Sequence, residues 1–343
     1  MATQSIISTT LQLLRDQLVD NSYLAHPLFR AIEEHGNLVK VSGGLRIEQP
    51  VMFGSHSSIS SLSTGFEPVN MAITDPFQTA QYEWANFTAP IVLSQVERAA
   101  NKGDLAVVNI LSAKMKNVML SLKREVSKQI IAGDSTVLGD IQTLNGMGTA
   151  AMAADTTGWF EAGLFGGAVQ TNVVGGLSKA TYGGTDENWN NQNVNAGATL
   201  ALSHLDSLFI ACQQHHPGGK FPDILLMSPA MFAAFQALQQ SSVQYTSTER
   251  RSGLDADMVA MWRGARIYVE PQLGFANAGA VPVSGYALSS DMFQLYADTD
   301  GFFNVSDMVP VPGTATEASL IFNRMQLTTG SLASQGVILN AEA

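Results

Sequence analysis

Residues 42–70 read SGGLRIEQPVMFGSHSSISSLSTGFEPVN, a strand pattern from Leu45 to Phe53 that runs into a Ser-rich stretch with almost nothing to bury. A second extended run, FQTAQYEWANFTAPIV, occupies 77–92. The two runs read as the arms of a long hairpin, each of order ten residues and roughly 30 Å in reach at about 3.3 Å per residue. In the second run Tyr82, Trp84, Thr88 and Val92 fall on one face, and Phe77, Phe87 and Ile91 on the other. Both faces carry apolar groups, as expected for a strand that is covered on both sides in places. Pro50, Pro76 and Pro90 suit edges and strand ends better than a central ladder.

Outward from this hairpin the period changes. Upstream, Ile7, Leu11, Leu14 and Leu18 recur at helical spacing, and HPLFRAIEEHG closes on Gly36, so residues 5–35 read as one or two amphipathic helices. Downstream, Leu105, Val108, Leu111, Met115, Val118, Leu122, Val126 and Ile130 step by three or four between a Gly103-Asp104 start and an Ala132-Gly133 stop. This spacing predicts a helix over 104–131, roughly 42 Å long at 1.5 Å per residue. Residues 133–198 are rich in Gly, Asn, Thr and Ala, with GG pairs at 166, 175 and 183, and read as loops and short strands.

After Thr199 the pattern is α/β. TLALSHLDSLFIACQQHH is helical, PDILLMS is a short buried strand, and PAMFAAFQALQQ is a helix with Ser228 as N-cap and Pro229 at its first position. MVAMWRGARIYVE and GYALSS follow, then FQLYA and FFNVS around Asp298-Thr299-Asp300-Gly301, which reads as a hairpin turn. The tail, SLIFNRMQLTTGSLASQGVIL, returns to strand-like alternation.

Composition narrows the function classes. Of 343 residues only 14% are charged, against about 25% in ordinary soluble domains, while 45% are hydrophobic. So few charges leave much surface to be covered by copies of the chain or by partners. The net charge of −11 argues against a protein whose main task is to neutralise phosphates. No window approaches the roughly 18 apolar residues of a membrane helix, and MATQSIISTTLQLLRDQ lacks a secretory pattern. A cytoplasmic site of synthesis is expected. The single cysteine, Cys212, excludes intramolecular disulfides and thiolate metal clusters.

Chemistry-bearing motifs are scarce. No phosphate loop, dinucleotide fingerprint, nucleophile elbow or H-E-x-x-H is present, so neither an enzyme nor a cofactor or metal is expected. Cys212 with His215, His216 and the more distant His204 reads as a buried thiol beside histidines that favour a helix C-terminus, because zinc needs three or four convergent ligands. Asp298-x-Asp300-Gly301 lacks the further carboxylates of a calcium loop. A denser signal lies in or beside the long helix, where Lys102, Lys114, Lys116, Lys123, Arg124 and Lys128 hold six of the chain's 18 basic residues. It reads either as a solvated face paired with carboxylates of the same chain, or as a basic seam for acidic loops of a neighbouring copy or a packaged polyanion.

The order of parts resembles the major capsid proteins of tailed bacteriophages, which share the shell fold of the Hong Kong phage. The stretches that carry the resemblance are HGNLVKVSGGLRIEQP, STGFEPVN, VERAANKGDLAVVNILSAKMKNV, VVGGLSKATYGG and MQLTTGSLASQGVIL, in that order from about His26 to Leu339. The resemblance implies an α+β fold with an N-terminal arm (1–43), an extended loop (44–92) and a peripheral domain (93–198) built on the spine helix 104–131. An axial α/β domain (199–310) and C-terminal strands returning to the peripheral domain (311–343) would complete it. It further implies a structural virion protein that assembles as pentamers and hexamers into an icosahedral head around the phage genome, formed in the host bacterial cytoplasm. On this basis Met52, Phe53, Ile59, Leu62, Phe66 and Glu67 of the extended loop are expected to meet the adjacent subunit. Lys114, Lys116, Lys123, Arg124 and Lys128 are the candidate basic seam. Expected partners are the chain itself, separate scaffolding and portal proteins, decoration proteins, and DNA by proximity rather than specific binding. An encapsulin-like shell around an enzyme cargo is the alternative with the same fold. A cytoplasmic oligomeric α/β enzyme on 199–310, or a tail-tube or decoration protein, are alternatives of other classes.

Overall fold

The computed structural model describes residues 27–54, 58–59, 61, 65, 76–100, 110–133, 141–147, 157–161, 170–184, 188–239, 260–274 and 282–341. In chain order the elements are α1 (Pro27–Glu34), β1 (Leu38–Val41), β2 (Arg46–Met52), β3 (Phe77–Glu83), β4 (Ala85–Ser94), α2 (Gln95–Ala100) and α3 (Ile110–Ala132). Then come β5 (Val173–Val174), β6 (Leu177–Ser178), α4 (Lys179–Tyr182), β7 (Gln192–Asn195), α5 (Leu202–Gln214), β8 (Ile224–Met227) and α6 (Pro229–Gln239). The last are β9 (Met261–Trp262), β10 (Ala265–Val269), β11 (Val283–Leu288), β12 (Phe293–Asp298), β13 (Asn304–Val305), β14 (Val309–Pro310), β15 (Thr316–Thr329) and β16 (Gly336–Leu339).

Two six-stranded sheets carry the structure. In the first, β15 pairs with β4 along one edge and with β12, β13 and β14 in succession along the other, and β1 adds in parallel to β12. The second runs β7-β16-β11-β8-β10-β9. Its central strand is buried on both faces, and the side chains of β8 alternate between two cores. Ile224 and Leu226 join the large core that reaches from the first sheet and α3, whereas Leu225 and Met227 pack with α5 and α6. At the start of α6 the Met231 N–H donates to Ser228 Oγ at 3.1 Å, the N-cap that the sequence predicts.

α3 buries Leu122, Val126 and Ile130, positions the helical spacing selects, and Ile131 besides; Met115 and Val118 are half-buried, and the helix stops at Gly133, whose φ is +73°. Its described part begins at Ile110, so Gly103, Asp104, Leu105 and Val108 lie outside the described residues, as do Ile7, Leu11, Leu14 and Leu18. No described helix is long and apolar enough to cross a membrane.

Four expectations are corrected. First, the run 77–92 is two strands. Even positions Ala80 and Tyr82 point inward in β3, Trp84 and Ala85 are buried in succession, and odd positions Phe87 and Ile91 point inward in β4. The bend at Trp84 shifts the inward parity by one, so Thr88 and Val92 are exposed rather than sharing a face with Tyr82. Phe77, out of phase with β3, is exposed as well. Second, β12 and β13 do not pair as a hairpin. Both pair with β15, because that strand is long enough to seat them one after the other, and the Asp298–Gly301 turn moves the chain along its edge. Third, the tail divides: β15 belongs to the first sheet, but β16 enters the second between β7 and β11. Fourth, Phe53 is buried within its own chain, as described below.

The turn between β5 and β6 approaches the hairpin closely, with the Gln81 N–H donating to Gly175 O at 2.8 Å. A Cβ on Gly175, at φ +58°, would stand 2.8 Å from Tyr82 Cζ and 3.0 Å from Ala80 Cβ, whereas one on Gly176, at φ +75°, would meet nothing within 4 Å. Gly176→Ala therefore pays only the left-handed backbone penalty of about 1–2 kcal/mol. Gly175→Ala adds overpacking and is expected to cost about 2–5 kcal/mol. Equal urea midpoints for the two variants would contradict the close approach.

Candidate functional site

The hairpin of β2 and β3 is a two-stranded sheet in register from Arg46↔Glu83 to Met52↔Phe77. Its inner face, Ile47, Val51, Ala80 and Tyr82, is buried against the same chain. Phe53 continues that face: it is 6% exposed, stacked on Tyr182 at 5.0 Å and edge-on to Trp189 at 5.6 Å. The expectation that Phe53 meets a neighbour is thus corrected by strand parity, since odd positions of β2 point inward. Met52, an even position, points outward.

The outer face changes character along its length. At the base it carries Arg46, Glu48, Gln81 and Glu83; at the far end it carries the cross-strand pair Met52 and Phe77, 69% and 64% exposed. Ile59, in the connection, is 83% exposed. Leu62, Phe66 and Glu67 lie outside the described residues. An exposed apolar end on an otherwise anchored hairpin is a surface that gains by contact with another chain.

Arg324, in β15, fixes where the hairpin leaves the body. Its Nη2 donates to Gly44 O at 2.8 Å, its Nη1 to Asp298 Oδ2 at 3.0 Å, and its guanidinium lies 4.6 Å from the Trp84 ring centroid. One side chain therefore holds both the entry and the exit of the hairpin. Burial works against charge on Asp298, yet hydrogen bonds from Arg324 and from the Asp300 and Gly43 N–H groups hold its carboxyl below the ordinary range. A lone arginine in an alternating strand was the only sequence signal for this anchor.

The basic residues of α3 divide. Lys114 is engaged within the chain, donating to Glu97 Oε2 at 2.7 Å and to Val92 O at 3.2 Å, and it holds the Glu97 carboxyl below its usual value. Lys123 lies 5.7 Å from the Phe303 ring centroid. Lys116 and Lys123, seven residues apart, are exposed on one face. Arg124 and Lys128 are half-buried one turn apart on another, and Arg124 Nε is buried without a hydrogen-bond partner in the described structure.

A fully buried charge is one that motif reasoning did not single out. Lys179, fully buried in α4, donates to Trp159 O at 2.6 Å, Asn191 Oδ1 at 2.9 Å and Gln170 Oε1 at 3.2 Å, and pairs with Glu161 Oε2 at 3.3 Å. Burial pulls its pKa down to about 8, with Glu161 opposing. The histidines and thiol are used locally. Cys212 is buried in the α5 core and its thiol is pushed up by burial, His204 Nδ1 accepts the Ala201 N–H, and His216 Nδ1 accepts the Gly218 N–H. Among the described residues no three His, Cys, Asp or Glu side chains converge as metal ligands.

Comparison with known proteins follows the same outline. No curated protein matches the chain. Among solved structures it is similar to the capsid asymmetric unit of cyanophage A-1(L), at TM-score 0.61 and 12% identity over 96% of this chain and 97% of that one. It is also similar to the capsid of an empty GTA particle, at TM-score 0.59 and 10% identity over 95% of this chain and 100% of that one. The holo-SrpI encapsulin complex of Synechococcus elongatus PCC 7942 matches at TM-score 0.57 and 10% identity over 100% and 96%. At these identities the likeness is one of fold, the capsid-shell fold that the order of parts resembles. A family model described as SU10 major capsid protein matches residues 86–295, from β4 into β12. The chain belongs to the SU10 major capsid protein family.

Proposed function

We propose that this shell protein assembles as pentamers and hexamers into an icosahedral phage head, with the hairpin of each subunit laid on the next. The observation that carries the proposal is the exposed Met52–Phe77 pair at the end of a hairpin whose other face and base are fixed to its own subunit. A contact of this kind is heterologous, and heterologous contacts that close make rings. In this arrangement residues 1–43 are the arm, 44–92 the extended loop, and the sheet of β15 with α3 the peripheral part. The sheet of β8 with α5 and α6 is the axial part. Lys116 and Lys123 are the basic groups of α3 most available to an acidic loop of a neighbour or to DNA. Scaffolding, portal and decoration proteins are proposed as separate partners, and the host cytoplasm as the place of assembly.

Electron microscopy of the purified chain, with sedimentation of the same sample, tests this directly. Closed shells or five- and six-fold rings are expected. A small oligomer with no rings at any concentration or salt would overturn it, and shells that co-purify with an enzyme rather than nucleic acid would favour the encapsulin-like alternative.

A further inference from the structure

The polar contacts of α1 with the second sheet come from β10 and the residue that follows it, while Leu28, Ala31 and Ile32 enter the large core. Ala265 and Ile267 of β10 enter the core of α5 and α6, while the alternate residues Arg266, Tyr268 and Glu270 are turned toward α1. At the C-terminal end of the helix, Arg266 Nη1 and the Tyr268 hydroxyl both donate to Glu34 Oε2, at 2.9 and 2.7 Å. At the other end Glu270 accepts the Leu28 backbone N–H, one of the donors that a helix N-terminus leaves without an intrahelical partner. Leu28, Ala31 and Ile32 are buried between these two fastenings. Past Gly36 the chain enters β1, which pairs with β12 in the first sheet, so residues 27–41 tie the two sheets together.

Glu270 is an unusual fastening. It is fully buried; Oε1 accepts the Gln272 N–H at 3.3 Å, and Oε2 has no hydrogen-bond partner in the described structure. We propose that α1 is a pH-operated strap, held on β10 while Glu270 is protonated and loosened when it ionises.

The sign follows from the burial. Desolvation pushes the Glu270 carboxyl up to about 7 from 4.5, against the two backbone N–H groups that favour its charge. The docked state therefore keeps a proton that the solvated carboxyl of an undocked strap gives up. Docking is strongest below about pH 4.5, weakens by about tenfold per pH unit up to about 7, and is level above that. The other titratable groups on the paired elements are Arg30, Glu33 and Glu34 on α1 and Arg266 and Tyr268 on β10. Glu34 is held in its charged form, chiefly by Tyr268 and then by Arg30. Just past the helix, His35 Nδ1 lies 3.3 Å from Asp223 Oδ2.

Hydrogen exchange of the full chain, read on amides of residues 28–34 and corrected for intrinsic pH dependence, separates these contributions. Between pH 5.5 and 8 the opening constant of the wild type should rise about thirtyfold. The same rise is expected in His35→Gln, and no rise in Glu270→Gln. Protection independent of pH in the wild type overturns the proposal, as does a rise that vanishes in His35→Gln. The wild-type and His35→Gln series decide the matter even if Glu270→Gln does not fold.

Discussion

Lys179→Met is expected to lower the unfolding free energy by about 3–5 kcal/mol, the usual cost of removing one member of a buried, hydrogen-bonded ion pair. Methionine fills most of the volume but donates nothing, so Trp159 O, Asn191 Oδ1, Gln170 Oε1 and the Glu161 carboxylate each lose a donor. Among the described residues Glu161 would keep the N–H groups of Thr171 and Asn172 and the Thr171 hydroxyl. These partners come from separate turns of the Gly- and Asn-rich region, so the damage extends to the surface on which Phe53 and Tyr82 rest. A pH signature accompanies it. Because the folded pKa, about 8, lies below the ordinary 10.5, the unfolded chain binds the extra proton between those values. This lysine therefore makes the wild type gain stability from pH 8 to 10.5, and the variant lacks that gain. Urea unfolding of dissociated subunits at pH 7.5 and 10 measures both effects. A loss below about 1 kcal/mol would mean that the network does not organise the region.

The pair Met52→Asp with Phe77→Asp should abolish closed shells while leaving the subunit folded. Both side chains are more than 60% exposed and sit at the end of the hairpin, so the free subunit should lose no more than about 1–2 kcal/mol, from the lost cross-strand contact and the two carboxylates placed opposite each other. In a shell each side chain stands to bury about 1.5–3 kcal/mol of apolar contact per subunit, and a carboxylate in its place would be desolvated without a partner. That difference recurs at every contact of a closed ring. Negative-stain imaging with circular dichroism distinguishes the outcomes. Folded subunits without shells are expected, and wild-type shell yield would remove the hairpin end from the interface. Glu48→Gln, on the same face nearer the base, is the matched control and should assemble normally.

Part of this structure could be read from one dimension. The spacing of Leu122, Val126 and Ile130 specifies the buried face of α3, and Ser228-Pro229 specifies the start of α6, because helical period and capping act within a few residues. The two arms around the Ser-rich stretch likewise specify a hairpin, and five segments in order specify the family. The candidate site was legible in part: Met52 and Ile59 are exposed as expected, whereas Phe53 is not.

What the sequence by itself determined was the set of elements, their order and the shell fold they resemble, since these rest on local period, turn chemistry and composition. Only the tertiary structure decided which face each strand presents and which strand each meets. The bend at Trp84 moved Thr88 and Val92 outward, and the length of β15 drew β12 and β13 onto one edge. The separation of β16 from β15 placed the chain's last strand in the other sheet. The ion pair of Lys179 and the anchor of Arg324 join residues far apart in the chain. Their energies come from burial and from partners that only the assembled fold brings within hydrogen-bond distance, so no spacing rule could have marked them.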